Sequence, residues 1–120
     1  MNTVKNLIEK LKPTLIHDIE YYEYSEQDRN HRPTFKEPIS VKHCRVDMTR
    51  TYEVNKSTES ETVTAVIFMY NGATEPFAPI VEKSKVIHNG KAYKVSKLVE
   101  CYEPYRNSLF SYEVELVPYA

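Results

Sequence analysis

The sequence predicts a mainly β protein: a small antiparallel β-barrel or sandwich of five to six strands, with one N-terminal helix and long polar loops. The dipeptide Asn89-Gly90 separates two runs rich in β-branched and aromatic residues, and it accepts the positive φ angles of a two-residue type I′ turn. Residues 110–116 alternate apolar and polar side chains, as in a half-solvated antiparallel strand. Helical spacing of apolar residues stands out near the N-terminus, in residues 3–12.

The size and composition predict one domain, residues 1–120, with the helix over 3–12 and the barrel or sandwich over 15–118. Apolar residues make up 41% of the chain, charged residues 28%, and the formal net charge is −1, which is typical of a globular domain. Such a balance argues against a polyanion-binding protein. No apolar run approaches the roughly 20 residues of a membrane helix, so we expect synthesis in the cytoplasm and no membrane partner.

The predicted helix begins at Thr3, which can cap it, and stops at Pro13, which cannot extend it. Its apolar stripe consists of Val4, Leu7, Ile8 and Leu11. A helix of about ten residues is marginal on its own, so the stripe needs cover. We expect it to close an open edge or end of the sheet, with docking to a partner as the alternative.

Three stretches follow the helix. Residues Leu15–Tyr24 are interpreted as extended, and Ser25–Pro38 as a long polar loop that contains two prolines. In Ile39–Met48 the apolar side chains change face midway along a strand, which predicts a bulge or a move between sheets.

The middle of the chain contains both segments that are predicted to be exposed and segments that are predicted to be buried. Tyr52–Glu61 is polar and is expected to be an exposed tip. Thr62–Tyr70 is apolar on both faces in its second half, so the strand is either central or has an interface on its second face. Ala73–Ser84 contains two prolines among apolar residues and is expected to be a partly packed loop.

The Asn89-Gly90 hairpin predicts a definite pairing, with His88 opposite Lys91 and Val86 opposite Tyr93. Its second strand is expected to continue to Cys101, with a register change near residues 97 and 98. The predicted core residues of the C-terminal half are Val86, Tyr93, Val95, Tyr112, Val114 and Leu116.

The sequence offers little support for catalysis or metal binding. His43 and Cys44 are adjacent, so on a strand they point to opposite faces and cannot ligate one metal. The two glycines lie too far apart for a phosphate-binding loop. Acid pairs such as Asp18 and Glu20 are explained more simply by a solvated strand face. We expect no enzyme activity, no cofactor and no metal.

A single-stranded nucleic-acid-binding barrel is the alternative from the residues alone, because ten tyrosines on a small β-barrel could stack bases as in an OB-fold. The charge pattern argues against it. Arg29 and Arg32 are interleaved with Glu26 and Asp28, whereas a groove that follows phosphates needs clustered cations.

The C-terminal half resembles the ending of small minor capsid proteins of tailed phages and prophages of Gram-positive bacteria. In that family a hairpin of the form I-x-x-N-G-K-x-Y-x-V leads to a final strand reading Y-E-x-E-L, similar here to residues 85–95 and 112–117. Val41–Asp47 lies where the family has a V-R-V strand. One departure precedes the hairpin, where many members have Gly-Asp and this chain has Ser84-Lys85.

The resemblance implies a structural protein of the head–tail junction of a virion, made in the cytoplasm of the host bacterium. Head-closure or head–tail connector proteins form a homo-oligomeric ring below the portal, join portal or adaptor to tail-joining proteins, and help retain packaged DNA. Proximity to that DNA is implied without specific nucleic-acid binding. We assign the interactions to the two polar loops, with the candidate residues Arg29, His31, Arg32, Phe35, Tyr52, Lys56 and Glu59.

Overall fold

The computed structural model describes residues 3–48 and 63–119. Within them, one helix, α1 (Thr3–Leu11), precedes eight strands. The strands are β1 (His17–Tyr22), β2 (Tyr24–Gln27), β3 (Pro33–Phe35), β4 (Ile39–Met48), β5 (Ala65–Tyr70), β6 (Lys85–His88), β7 (Lys91–Tyr102) and β8 (Leu109–Pro118). Six of them close an antiparallel barrel in the order β1-β4-β5-β8-β7-β6, and β2 pairs with β3 as a separate hairpin. The predicted mainly β fold with one N-terminal helix is confirmed.

The core fills the inside of the barrel, because each strand directs alternate side chains inward. The sequence predicts six core residues in the C-terminal half, and the structure buries all of them: Val86, Tyr93, Val95, Tyr112, Val114 and Leu116. Strand β5 pairs with both β4 and β8, so neither of its edges is open. Its inward residues are buried and its outward residues Val66, Phe68 and Tyr70 are half-buried, which accounts for its two apolar faces.

Helix α1 lies against one end of the barrel. It ends at Leu11, one residue earlier than predicted, because a 3₁₀ turn that contains Pro13 begins at Lys12. Ile8 is buried in a small second core with Leu15 and Ala73, whereas Leu7 keeps 45% of its surface exposed. The helix therefore covers an end of the barrel, as expected, with only part of its apolar stripe.

The prediction of one long loop over Ser25–Pro38 is wrong, because this stretch contains most of the β2–β3 hairpin. Its turn is closed by Asp28, whose carboxylate accepts the backbone N–H groups of Asn30 and Arg32 at 2.8 and 2.9 Å. His31 adopts a φ of 61°, so the turn forms without glycine. Polar side chains hold the turn of this hairpin, and its strands lack the alternation of apolar and polar residues by which strands are normally recognised.

The predicted bulge in β4 is confirmed. Ile19 lies opposite Val41 but His17 lies opposite Cys44, so β4 has one residue more than β1 over this interval. His43 takes up the extra residue with a φ of 61°. Val41 and Cys44, three positions apart, are consequently both buried.

The loop over Ala73–Ser84 is partly packed, as predicted. Ile80 is buried, and the ring of Phe77 stacks on the ring of Tyr112 with 4.8 Å between centroids. Val81 stays 40% exposed. The predicted tip over Tyr52–Glu61 lies outside the described residues.

The β6–β7 hairpin has the predicted pairing of Val86 with Tyr93 and of His88 with Lys91. Asn89 and Gly90 occupy the turn with φ angles of 51° and 78°. Strand β7 runs on to Tyr102, and its register on β8 shifts between residues 95 and 97, next to the predicted position.

Replacing Gly90 with valine should lower the free energy of unfolding by roughly 1–3 kcal/mol, because a β-branched residue is strained at positive φ. A Cβ at this position would meet no atom within 4 Å, so the loss reports on the backbone alone. Urea denaturation measures it. The control Asn89→Gly keeps the turn and should change little, and an unaltered stability of Gly90→Val would contradict the turn assignment.

Candidate functional site

The interior of the barrel is filled with packed apolar side chains. No group of three His, Cys, Asp or Glu side chains within residues 3–48 and 63–119 is placed to hold a metal ion. The Cys44 thiol is fully buried, and desolvation, with a smaller contribution from Asp18, raises its pKa to about 12. Because the thiolate is the reactive form, Cys44 is a poor nucleophile. Cys101 is half-buried and also carries a free thiol.

Two histidines meet near the tip of the β6–β7 hairpin. The rings of His17 and His88 are in edge contact, with 5.0 Å between centroids, and His17 Nδ1 accepts the backbone N–H of Val46 at 3.0 Å. Burial lowers the pKa of His17, and His88 and Arg45 lower it further, against the opposing effect of nearby carboxylates. The neutral ring thus supplies the acceptor that this β4 amide needs.

A groove of about 480 Å³ lies at the helix end of the barrel. It is lined by Lys12, Pro13, Leu15, His43, Gly72, Ala73 and Glu75. Its lining mixes apolar side chains with one cation and one carboxylate, and no buried side-chain polar atom of the described residues lacks a hydrogen-bond partner. Of the polar groups that line the groove, which also include the His43 ring, Lys12 is paired with Glu9 at 3.1 Å.

The predicted interaction residues that the structure describes lie on the β2–β3 hairpin, outside the barrel. The β2–β3 hairpin brings together four of the predicted interaction residues, with Arg29, His31 and Arg32 exposed near its turn and Phe35 half-buried at its base. The other three, Tyr52, Lys56 and Glu59, lie outside the described residues.

Aromatic rings and lysines form a continuous patch at the base of this hairpin. We call it the tyrosine–lysine face; it consists of Tyr22, Tyr24, Phe35, Lys83, Lys85 and Tyr119. Lys85 Nζ lies 5.6 Å from the centroid of the Tyr22 ring and 5.1 Å from that of the Tyr119 ring. Lys83 Nζ lies 5.7 Å from the Tyr24 ring. These are cation–π distances.

Phe35 joins the two halves of the tyrosine–lysine face. Its ring centroid is 6.5 Å from that of Tyr24 and 6.4 Å from that of Tyr119. Sequence reasoning noted the tyrosines of the first strand but missed the lysines and Tyr119. The i, i+2 spacing of Tyr22 with Tyr24 and of Lys83 with Lys85 was the available signal.

A buried hydroxyl network anchors this face to the barrel. Ser84 Oγ accepts the backbone N–H of Tyr24 at 2.8 Å and lies 3.3 Å from the Tyr21 hydroxyl. That hydroxyl in turn accepts the N–H of Val81 at 2.9 Å. Ser84 is completely buried, and its hydrogen bond to Tyr24 ties the start of β2 to the segment that enters β6.

A second surface covers the outside of β5 and β8. We call it the apolar–acidic face; it consists of Val66, Phe68, Glu113 and Glu115. Phe68 pairs with Arg45 of β4 and Glu113 of β8, and Val66 pairs with Asp47 and Glu115. All four residues of the face are half-buried. An apolar stripe is thus bordered on its β8 side by two carboxylates.

Comparison with models of known protein families finds a match over most of the chain. The family model described as Minor capsid protein matches residues 12–116, from the 3₁₀ turn into β8. No curated protein matches this sequence. In the part of the chain that the structure describes, no helix is both long and apolar enough to cross a membrane.

Replacing Ser84 with alanine should loosen the β2–β3 hairpin, since the Tyr24 amide loses its acceptor. We expect faster hydrogen exchange at Tyr24 and a loss of about 1–2 kcal/mol in the free energy of unfolding. Ser25→Ala, at an exposed position of β2, is the matched control. Equal exchange at Tyr24 in both variants would argue against the anchor.

Stability should fall as the pH drops below about 6.5, because the pKa of His17 is lower in the folded chain than its ordinary value of 6.5. The unfolded chain then binds a proton that the folded chain does not. The contribution is complete above pH 6.5 and is lost as the pH falls through the folded pKa. Urea denaturation between about pH 5.5 and 7.5 measures this loss.

The variant His17→Asn removes the titrating ring and leaves an oxygen that can accept the Val46 N–H. It should flatten the dependence of stability on pH relative to the wild type. The same slope in both proteins would refute the role of His17.

Proposed function

The chain belongs to the minor capsid protein family, and we propose that it acts there as a head–tail connector, or head-closure protein. Family membership assigns it a structural role in a phage particle. The finer role is to form a ring below the portal, to join portal or adaptor proteins to tail-joining proteins, and to help retain packaged DNA.

The observation that carries the proposal is a projecting hairpin held on a closed barrel. Strands β2 and β3 stand outside the barrel sheet, and Ser84 ties their first residue to the barrel interior. The turn exposes Arg29 and Arg32 while the base carries aromatic rings. Arginine and aromatic side chains are enriched where proteins bind one another. We assign the hairpin to contact with a neighbouring protein of the head–tail junction.

We infer that the protein catalyses no reaction. The inference rests on the family's structural role and on the state of Cys44, which is buried and whose pKa is raised to about 12. The barrel supplies a rigid frame, and binding takes place on its outer surface.

The tyrosine–lysine face also gives support to the alternative function, a single-stranded nucleic-acid-binding barrel. Stacking rings beside lysines are the groups such a site uses. Carboxylates are nearby, however: Tyr22 donates to Glu20 at 3.3 Å and Lys36 is paired with Glu23 at 2.6 Å. Binding of a labelled oligonucleotide that weakens steeply with salt would favour this alternative, and no binding near physiological salt would remove it.

The connector role is tested with DNA-filled heads assembled without this chain. Adding the wild-type protein should retain the DNA and allow tails to join. The double variant Arg29→Glu/Arg32→Glu should fold normally and join at least about tenfold fewer particles, because charge reversal in a contact costs well over 1.4 kcal/mol.

Lys91→Glu, an exposed charge reversal beside the β6–β7 turn, is the matched control and should join tails as the wild type does. Electron microscopy counts joined particles. Heads that join tails equally well without the chain, or purified particles that lack it, would overturn the connector role.

A further inference from the structure

The two surfaces lie mainly on strand pairs that stand opposite each other in the order of the barrel. The closed order β1-β4-β5-β8-β7-β6 places β6 next to β1 and β5 next to β8. In a ring of six strands, the β6–β1 pair is half a turn from the β5–β8 pair. Tyr22 and Lys85 of the tyrosine–lysine face belong to the first pair, and the apolar–acidic face belongs to the second.

The chemistry of the two faces is complementary. Lys83 and Lys85 border aromatic rings on one side, while Glu113 and Glu115 border Val66 and Phe68 on the other. Contact between the faces would bury aromatic rings against an apolar stripe and place lysines beside carboxylates. This arrangement has an apolar centre with charges at its rim, as specific protein interfaces do.

We propose that the tyrosine–lysine face of one copy binds the apolar–acidic face of the next copy. The contact joins different surfaces, so it is head-to-tail, and repetition of such a contact closes a ring when the rotation between copies allows it. The inference deepens the proposed function and rests on it, since it names the surfaces through which connector subunits meet.

A second copy of this chain suits these faces better than a nucleic acid. A polyanion would gain from Lys83 and Lys85 but has no apolar stripe to offer the aromatic rings, and it leaves the apolar–acidic face without a partner. A second copy supplies both the apolar stripe of Val66 and Phe68 and the carboxylates of Glu113 and Glu115. The near-zero net charge of −1 leaves little overall repulsion between copies.

Charge exchange tests the contact in the isolated full chain. Sedimentation velocity over a concentration series at low salt should show reversible association of the wild type. Lys85→Glu and Glu113→Lys should each weaken the association constant at least about tenfold, because each places like charges together. The double variant Lys85→Glu/Glu113→Lys restores opposite charges and the wild-type net charge, so it should recover association.

Lys91→Glu serves as the control, since it changes the net charge as Lys85→Glu does but lies outside both faces. It should associate as the wild type does. Urea denaturation of every variant verifies folding. The proposal would be overturned by a wild type that stays monomeric at all concentrations, or by a double variant that associates no better than the single variants. If Lys85→Glu instead abolished oligonucleotide binding and left association unchanged, the nucleic-acid alternative would be supported.

The same variants separate this inference from the connector role. Particles that incorporate the chain and join tails with all charge variants would retain the connector role and refute the contact. Charge-dependent association of a chain that is absent from particles would retain the contact and refute the connector role.

Discussion

The structure depends on satisfying backbone groups where the strands of a staggered barrel change partners. Strand β4 pairs with β1 over Ile39–Cys44 and with β5 over Arg45–Met48, so neither edge of β4 is paired along its whole length. Buried backbone groups need partners. Beyond the strand pairs, the β4 amide of Val46 donates to the His17 ring, and Lys42 exchanges two backbone hydrogen bonds with Glu75. Side chains and loop backbone thus complete the ladder.

The same requirement explains where the tyrosine–lysine face forms. β6 is short, and the segment before it must return from the loop to the sheet, where Ser84 hydrogen-bonds to the first residue of β2. That bond places the hairpin beside Lys83 and Lys85. The tyrosine–lysine face is therefore a consequence of barrel closure at this edge rather than an independent addition.

Features encoded by local chemistry could be predicted from the sequence. Asn89-Gly90 favours a turn with positive φ angles through the properties of these two residues alone. The three-residue spacing of Val41 and Cys44 indicates a bulge without knowledge of the partner strand. The β2–β3 hairpin was missed because Asp28 closes its turn through side-chain oxygen atoms, and short polar strands carry no alternation. Phe35 was named as an interaction residue, but its ring contacts with Tyr24 and Tyr119 span distant parts of the chain and depend on the register of the whole barrel.

The residues that carry the family resemblance and the residues to which we assign partner contacts are therefore different. The hairpin that carries the resemblance places Val86, Tyr93 and Val95 in the core, where they set the register of β6, β7 and β8. Outward positions on the same strands, such as Lys85 and Glu115, are free of that constraint because they do not fill the barrel. Two chains can share the hairpin, and hence the fold, while presenting different charges at these positions. For this reason we assign partner contacts to the outer faces and to the β2–β3 hairpin rather than to the core.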